Sequence, residues 1–219
     1  MRALGALIVS LAFLAGCGGS DGDTTTTDSV ATATDECASV EAPDARNPEP
    51  SEAPAVPLDA SKTYTLTFDT SCGSFTITLD QELAPKTAAS LVALANAGYF
   101  DETIFHRVVP GFVIQGGDPT QSGGGGPGYS TVDAPPSDAT YPQGTVAMAK
   151  SPVEAAGTSG SQFFVVTGDG GGLTPDYAIV GEVTEGMDTI RKIGETKTSK
   201  PGDRPVVPVV MQSVTIERK

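Results

Sequence analysis

The sequence predicts a mainly-β fold, a closed β-barrel whose ends are covered by two helices. Three observations support this. Many short apolar stretches alternate with polar residues, which is the pattern of half-buried strands. Gly 26 and Pro 17 among 219 residues indicate many turns and few long helices. Only two segments have helical spacing, so two helices and many short strands remain to be packed around one core.

The first elements form a hairpin followed by a helix. Residues 64–68 and 75–79 each alternate between apolar and polar side chains, and residues 71–74 between them have turn composition. Pro85 then opens a helix, at a position where its missing N–H costs nothing, and Gly98 ends it.

The rest of the chain contains short apolar runs separated by loops rich in glycine or proline. Pro205 and Pro208 cannot donate a ladder hydrogen bond, so they are expected at the start or at an unpaired edge of the last strand. The runs predict strands at residues 105–109, 112–114, 145–149, 163–166, 178–180 and 206–216, with a second helix over 187–193.

The N-terminus has the pattern of an export signal. A positive start is followed by an apolar run over residues 3–14, too short for a mature membrane span. The run ends in LAGC at residues 14–17, which resembles the lipobox of bacterial lipoproteins. That resemblance implies a signal peptide over 1–16 and a lipid on Cys17, hence a lipid anchor on the extracytoplasmic face of the cell membrane. The alternative is an ordinary signal peptide that happens to end in cysteine.

Residues 17–60 have the composition of a linker. After Cys17, residues 18–60 hold ten acidic residues and five prolines against a single basic residue, Arg46. Because burial of so few apolar side chains cannot offset the conformational entropy lost on ordering the chain, we expect a disordered, acidic tether rich in threonine and proline. The folded domain then covers residues 61–219.

Two cysteines remain when Cys17 carries a lipid. Outside the cytoplasm, Cys37 and Cys72 would often be paired, which would join the end of the tether to the first hairpin. Two free thiols are the alternative.

Several kinds of chemistry are excluded. The net charge of −14 argues against nucleic acid as a partner. With one His and three Cys, a four-ligand zinc site would need almost every such residue in the chain, and we expect neither metal nor cofactor. The glycine runs 123–126 and 170–172 lack the Gly-Lys-Ser/Thr of a phosphate loop, so we expect flexible loops there.

The sequence FHRVVPGFVIQGGD at residues 105–118 places an arginine in a strongly apolar stretch. Arg107, Val109, Val113 and Gln115 share strand parity on either side of a Pro-Gly turn. Arginine is rarely placed on an apolar face without a partner. Spacing alone leaves open whether Arg107 is a functional cation or one half of a structural salt bridge.

This segment resembles the signature of the cyclophilin family of peptidyl-prolyl cis/trans isomerases. Further matches follow in family order, and the resemblance covers residues 62–217. They are GTVAMA at 144–149, GTSGSQFF at 157–164 and GEVTEGMD at 181–188, with APKT at 84–87 and GYFD at 98–101.

The resemblance implies a closed eight-stranded antiparallel β-barrel capped by two α-helices, with a substrate groove outside the barrel. It implies that Arg107 is the catalytic cation, that Gln115 contacts the substrate backbone, and that Gln162 orients the groove. His106 would border the pocket for the proline ring, and the main chain of Ala149 and Lys150 would bind the peptide in extended form. The residues implied to line the pocket are Phe112, Val113, Phe164 and Leu173, with Tyr177 covering one wall.

Three positions depart from the family pattern. The chain has no Trp, and Gly172 falls about where many members have one, which puts tight cyclosporin binding in doubt. Tyr177 stands where members often have His, and Lys150 where Asn is common. The sequence thus predicts a monomeric isomerase acting on exported, proline-containing polypeptides. A non-catalytic chaperone or scaffold that binds proline peptides is the alternative.

Overall fold

The computed structural model describes residues 37–219. No helix in this part of the chain is long and apolar enough to cross a membrane. The helices are α1 (Pro85–Asn96) and α2 (Met187–Gly194). The strands are β1 (Tyr64–Thr70), β2 (Gly73–Leu79), β3 (Thr103–Ile104), β4 (Arg107–Val109), β5 (Val113–Gly116), β6 (Thr131–Val132), β7 (Thr145–Met148), β8 (Thr158–Ser159), β9 (Phe163–Val166), β10 (Ile179–Glu185), β11 (Thr198–Ser199), β12 (Arg204–Pro205) and β13 (Val210–Arg218).

Nine of these strands form one antiparallel sheet in the order β3-β13-β1-β2-β10-β7-β9-β5-β4. Its two edge strands, β3 and β4, are separated in the chain only by Phe105 and His106. A flat sheet of nine strands would hold its edges about 38 Å apart, at about 4.8 Å per strand. The chain from Ile104 to Arg107 spans at most about 11 Å. The sheet must therefore curl until its edges approach each other.

The mainly-β fold with two helices is confirmed, whereas the strand count and closure differ from the prediction. The sheet has nine strands rather than eight, and its hydrogen-bonded order is open between β3 and β4. The chain leaves the ladder at this point, where the Phe105 N–H donates to the Val209 carbonyl at 3.0 Å. The sequence also missed β3, β6, β8, β11 and β12, because a two-residue strand has no periodicity to detect.

The main core lies inside the curled sheet. Phe68 on β1 and Phe75 on β2 stack in parallel, with ring centroids 4.8 Å apart, and Phe163 from β9 packs on Phe68 at 5.3 Å. Each of the three rings is at most 2% exposed. These rings bring both halves of the sheet into one apolar interior, which gives β5 and β9 a rigid inner surface.

The two helices cover this core. Helix α1 begins at Pro85, as predicted, and the Asp133 carboxylate accepts the Thr87 N–H and hydroxyl, both at 2.7 Å. This carboxylate satisfies an N–H of the first helical turn, which has no partner within the helix. Ile190 and Ile193 of α2 are fully buried against the same core.

Residues 37–59, which we call the strap, differ from the free tether expected from composition. The strap has no helix or strand, but it hydrogen-bonds to the domain at several points. Cys37 forms a disulfide with Cys72, the pairing suggested by the sequence, and Leu58 packs against the main core. A covalent link at one end and an apolar contact at the other hold this acidic segment in place. The predicted signal peptide, Cys17 and the first part of the tether lie outside the described residues.

Candidate active site

The strand register places one row of side chains on the outer face of the sheet. Arg107 on β4 lies opposite Gln115 on β5, and Gln115 lies opposite Phe164 on β9. Phe164 in turn lies opposite Ala147 on β7. Residues directly opposite each other in a ladder point to the same face, so these four side chains form one continuous outer row.

The neighbouring residues in the same strands point inward. Val108 pairs with Ile114, Ile114 with Val165, and Val165 with Val146. All four belong to the main core and are at most 1% exposed. The alternation that the sequence showed around the Pro-Gly turn therefore separates a core face from a site face.

The guanidinium of Arg107 is held by an amide. Arg107 Nη1 donates to Gln115 Oε1 at 3.4 Å, and Gln115 Nε2 donates to Gln162 Oε1 at 3.1 Å. Within residues 37–219, Arg107 forms no salt bridge with a carboxylate. The structural salt bridge that the sequence left open is thus absent here, and a half-buried, charged donor remains available to a ligand.

Gln162 connects this pair to the glycine-rich loop. Its Nε2 donates to the carbonyl oxygens of Gly123 and Gly125, at 3.0 and 2.9 Å. Gln162 therefore orients Gln115 directly and Arg107 only through Gln115. The resemblance had implied the orienting role, but the loop carbonyls that carry it out were not foreseen.

Asp118 orders this loop, which the sequence had led us to expect to be flexible. Its fully buried carboxylate accepts the N–H and hydroxyl of Thr120, at 2.8 and 2.7 Å. It also accepts the N–H groups of Gly123 and Gly125, at 2.7 and 3.1 Å. Burial raises the pKa of Asp118, but these hydrogen bonds together outweigh burial and hold the pKa below its usual range. An acidic residue followed by Thr120, Ser122 and glycines was the signal that could have revealed this turn.

The residues implied to line the proline pocket come together in a second apolar cluster, separate from the main core. Val113 and Phe164 are buried, whereas Phe112 and Leu173 are partly exposed at its surface. An apolar group that faces solvent beside a charged donor offers a place for a small ring. The members of the cluster that the sequence predicted are Phe112, Val113, Ala149, Phe164, Leu173 and Tyr177.

One wall of this cluster is fixed by a residue that the sequence did not indicate. The Tyr177 ring meets Phe164 edge-on at 5.4 Å and Tyr141 edge-on at 6.3 Å. The Tyr141 hydroxyl donates to the Tyr177 carbonyl at 2.8 Å and accepts the Tyr177 N–H at 3.2 Å. Burial raises the pKa of Tyr141, so its hydroxyl stays protonated and can donate. No motif surrounds Tyr141, so its role appears only in three dimensions.

The side chain of Lys150 is held by an ion pair and a hydrogen bond to neighbouring residues. The side chain is only 2% exposed, and Nζ lies 2.6 Å from the Asp176 carboxylate and 5.8 Å from the centre of the Tyr177 ring. Nζ also donates to the Glu154 carbonyl at 3.0 Å. Because the residue as a whole is partly exposed, the accessible part of Lys150 is its main chain. That arrangement is compatible with the main-chain role implied for Ala149 and Lys150.

His106 lies behind the site. It is 8% exposed, and its ring lies 3.8 Å from where a side chain at Gly123 would begin. Neither ring nitrogen has a hydrogen-bond partner among the described residues. Burial lowers the pKa of His106, an effect that the nearby Asp118 carboxylate partly offsets. The imidazole is therefore neutral at neutral pH.

A cavity of about 680 Å³ lies beside the apolar cluster. The sequence had not indicated this space. It shares Gln115, Ala149 and Gln162 with the site, and residues 123–130 also line it. A bound chain that fills the apolar cluster can thus extend into a second, more polar compartment.

This fold, with an arginine beside an apolar hollow on its outer face, matches the model of the family "Cyclophilin type peptidyl-prolyl cis-trans isomerase/CLD" over residues 65–216. The chain belongs to this family of peptidyl-prolyl cis-trans isomerases. It is 41% identical over 145 residues to peptidyl-prolyl cis-trans isomerase-like 1 of Aspergillus fumigatus, covering 64% of this chain and 86% of that protein. It is 39% identical over 172 residues to peptidyl-prolyl cis-trans isomerase A of Mycobacterium tuberculosis, covering 70% and 92%.

Solved structures agree. A cyclophilin type peptidyl-prolyl cis-trans isomerase from Cryptosporidium parvum superposes with a TM-score of 0.65 at 29% identity, covering 71% of this chain and 98% of that one. A structure of the same protein in the presence of the dipeptide Ala-Pro gives a TM-score of 0.64 at 29% identity, covering 70% and 98%.

Proposed function

We propose that Arg107 is the catalytic group of this isomerase and that the apolar cluster holds the proline ring of its substrate. The observation that carries the proposal is the outer row, where a guanidinium with no salt bridge to a described carboxylate lies beside Gln115 and Phe164. The relative studied in the presence of Ala-Pro supports a proline-containing peptide as the ligand.

The chemistry needed is rotation about an amide bond. Delocalisation of the nitrogen lone pair into the carbonyl gives this rotation a barrier of about 18–20 kcal/mol. X–Pro bonds populate both isomers but exchange over tens to hundreds of seconds. In the twisted transition state the lone pair returns to the proline nitrogen, which becomes a hydrogen-bond acceptor.

A guanidinium aimed at that nitrogen binds the transition state more tightly than either planar ground state, and this difference is what lowers a barrier. Arg107 suits the task because it stays charged and its planar donors are rigid. Gln115 Oε1 accepts one of those donors and so limits the rotation of the side chain. The apolar cluster holds the ring and excludes water, which favours the less polar, twisted amide.

The energies show that several groups must contribute. Reducing an exchange time from about 100 s to about 1 ms requires roughly 7 kcal/mol. A preorganised donor supplies about 2.7–4 kcal/mol. The rest must come from desolvation and from positioning of the peptide against the exposed main chain of Ala149 and Lys150. Neither a proton transfer nor a cofactor is part of this mechanism, so His106 needs no acid–base role.

The test is the Arg107→Ala variant, with Arg191→Ala on the exposed surface of α2 as the matched control. We expect Arg107→Ala to reduce kcat/KM for an X–Pro peptide by about 10²–10³, with an unchanged melting temperature, and Arg191→Ala to have no effect. Protease-coupled kinetics and NMR exchange between cis and trans peptide signals measure the rate. Full activity in Arg107→Ala would refute the assignment. Peptide binding by the wild type without faster exchange would instead favour the non-catalytic chaperone.

We also propose that the chain is a lipoprotein held by a lipid on Cys17 at the extracytoplasmic face of the cell membrane. Two observations support this: LAGC at residues 14–17 follows an apolar run, and the Cys37–Cys72 disulfide suits an oxidising compartment. In a bacterial host, wild-type protein should partition into the detergent phase of Triton X-114 and Cys17→Ala should not. Equal partitioning of the two proteins into the aqueous phase would contradict the anchor.

A further inference from the structure

The strap runs along the outside of the glycine-rich loop, residues 118–128. The Arg46 N–H donates to the Pro119 carbonyl at 2.8 Å, and the Ser51 N–H donates to the Pro127 carbonyl at 2.8 Å. Between them, Gln121 Nε2 donates to the Pro43 carbonyl, also at 2.8 Å. The Ser51 hydroxyl also donates to the Pro127 carbonyl, at 3.2 Å. Four hydrogen bonds thus join a segment with no regular structure to both ends of the loop and to a point between them.

The contact extends to the wall of the cavity. A side chain added at Gly128 would begin 2.6 Å from Pro50 Cβ, so Pro50 packs directly on the Gly128 backbone. Pro127 and Gly128 also line the cavity of about 680 Å³. The same two residues therefore meet the strap on one side and the cavity on the other.

The strap is itself anchored to the body of the domain. The Arg46 guanidinium donates to the carbonyls of Tyr99 and Asp101, at 3.1 and 2.5 Å, just after α1. The disulfide of Cys37 fixes its start, and Leu58 packs on the main core near its end. The strap is therefore fixed relative to the domain and can hold the loop in place.

The loop needs such support because four consecutive glycines, residues 123–126, have the highest backbone freedom of any residue type, and the Asp118 carboxylate binds the N–H groups of only two of them, Gly123 and Gly125. Its carbonyls at Gly123 and Gly125 receive the Gln162 amide, which in turn holds Gln115. A loop that moves by an ångström would release this amide, and misplacement of that size is enough to affect catalysis.

We propose that the strap is a positioning element for the active site, with Arg46 and Ser51 as its positioning residues. It holds residues 118–128 against Gln162 and sets the shape of the cavity for peptide residues beyond the proline. The inference rests on the function proposed above. It predicts that long peptides depend more strongly on the strap than very short ones, because both need the Gln162–Gln115 pair but only long peptides reach the cavity wall.

The test compares full-length chains carrying Arg46→Ala with Ser51→Pro, which removes both the guanidinium contacts and the N–H donated to Pro127. Arg46→Lys with Ser51→Ala is the conservative rescue, since it keeps a cation and that N–H. Glu52→Gln, an exposed change in the same strap, is the matched control. Each protein is assayed on a tetrapeptide and on a proline peptide of about twelve residues, and the Gln162 side-chain amide signals are recorded by NMR.

We expect the first variant to lower kcat/KM for the long peptide about tenfold, to lower it by a smaller factor for the tetrapeptide, and to shift the Gln162 amide signals. The rescue should approach wild type and the control should match it. A lower melting temperature with unchanged kcat/KM for both peptides and unchanged Gln162 signals would overturn the proposal, since that is the behaviour of a merely stabilising segment. Full activity in Arg107→Ala would instead refute the catalytic assignment, whatever the strap variants show.

Discussion

The two faces of strands β4, β5 and β9 differ although alternate residues of the same short strands build them. The inner face carries Val108, Ile114 and Val165, which belong to the main core and are fully buried. The outer face carries Arg107 and Gln115 beside the smaller apolar cluster, whose edge is open to solvent. One residue of displacement along the chain therefore separates the core face from the face proposed to be catalytic.

The comparison shows how a polar site can lie on an apolar sheet. The inner cluster spans both helices and most of the strands, so it fixes the backbone of β4 and β5 without help from the outer side chains. The outer side chains are therefore not needed for packing and can carry polar or charged groups. Because register sets the faces in steps of one residue, neighbouring substitutions should have opposite consequences.

The sharpest test of the comparison is the adjacent pair Ile114→Ala and Gln115→Ala. Ile114→Ala removes a fully buried inner side chain and should lower the free energy of unfolding by about 2–5 kcal/mol. Its kcat/KM should stay near wild type while the protein is folded. Gln115→Ala should leave unfolding nearly unchanged but reduce kcat/KM by about ten- to a hundredfold, because a hydrogen bond to a charged group is lost. Urea denaturation and the isomerase assay separate the two effects.

Two outcomes would contradict this division of roles between the inner and outer faces. An Ile114→Ala protein that is fully folded but inactive would mean that the core face sets the chemistry. A Gln115→Ala protein with normal kinetics would mean that the Arg107–Gln115 hydrogen bond is not needed.

A smaller effect, on the pH dependence of stability, is expected from the buried imidazole of His106. Burial lowers the pKa of His106, whereas in the unfolded chain it titrates near 6.5. As pH falls below about 6.5, the unfolded state therefore takes up a proton that the folded state does not. The free energy of unfolding should then fall by up to about 1.4 kcal/mol per pH unit, until the pKa of the folded state is reached. Above pH 6.5 the contribution is complete.

His106→Phe should remove this slope, since the chain has no other histidine. The charged groups that act on the ring are Asp118, which favours its protonation, and Arg107 and Arg204, which oppose it. Denaturant titrations of wild type and variant between pH 5.0 and 7.5 give the comparison. Parallel curves for the two proteins would show that His106 is not held neutral by the fold.

The smallest effect should come from substitution of Tyr141, a buried residue of the outer apolar cluster. Tyr141→Phe removes the hydroxyl that bonds the Tyr177 main chain, which should reduce the free energy of unfolding by about 1 kcal/mol. We expect kcat/KM to fall two- to threefold, because the Tyr177 wall loosens while its ring stays. The Tyr64 hydroxyl on β1, which accepts the Asp59 N–H at 3.3 Å outside the proposed site, offers Tyr64→Phe as a control with unchanged kinetics. Loss of stability without any change in kcat/KM would remove Tyr141 from the site.

The sequence predicted much of this site because its signals are local. Alternation around the Pro-Gly turn places Arg107 and Gln115 on one face, and the structure brings together the apolar residues that the family resemblance named. The glycine run 123–126 was misjudged because composition shows freedom and not the Asp118 carboxylate that removes it.

The strap was missed for a related reason. Its acidic, proline-rich composition is that of a free chain, and only contacts distant in sequence, such as Arg46 with Asp101, hold it in place. Likewise, the ninth strand and the open order of the sheet depend on residues 105 and 106 leaving the ladder. Long-range pairing of this kind has no periodic signal in a single sequence.

The junction at Phe105 and His106 has a consequence for the association of this protein with other chains. Exposed strand edges recruit other extended segments and seed aggregates. Here the two borders of the sheet are brought side by side by a two-residue link, and the outward Val108 N–H of β4 is already taken by the Asp203 carbonyl at 2.8 Å. The folded domain therefore offers other extended chains little template on which an aggregate could grow.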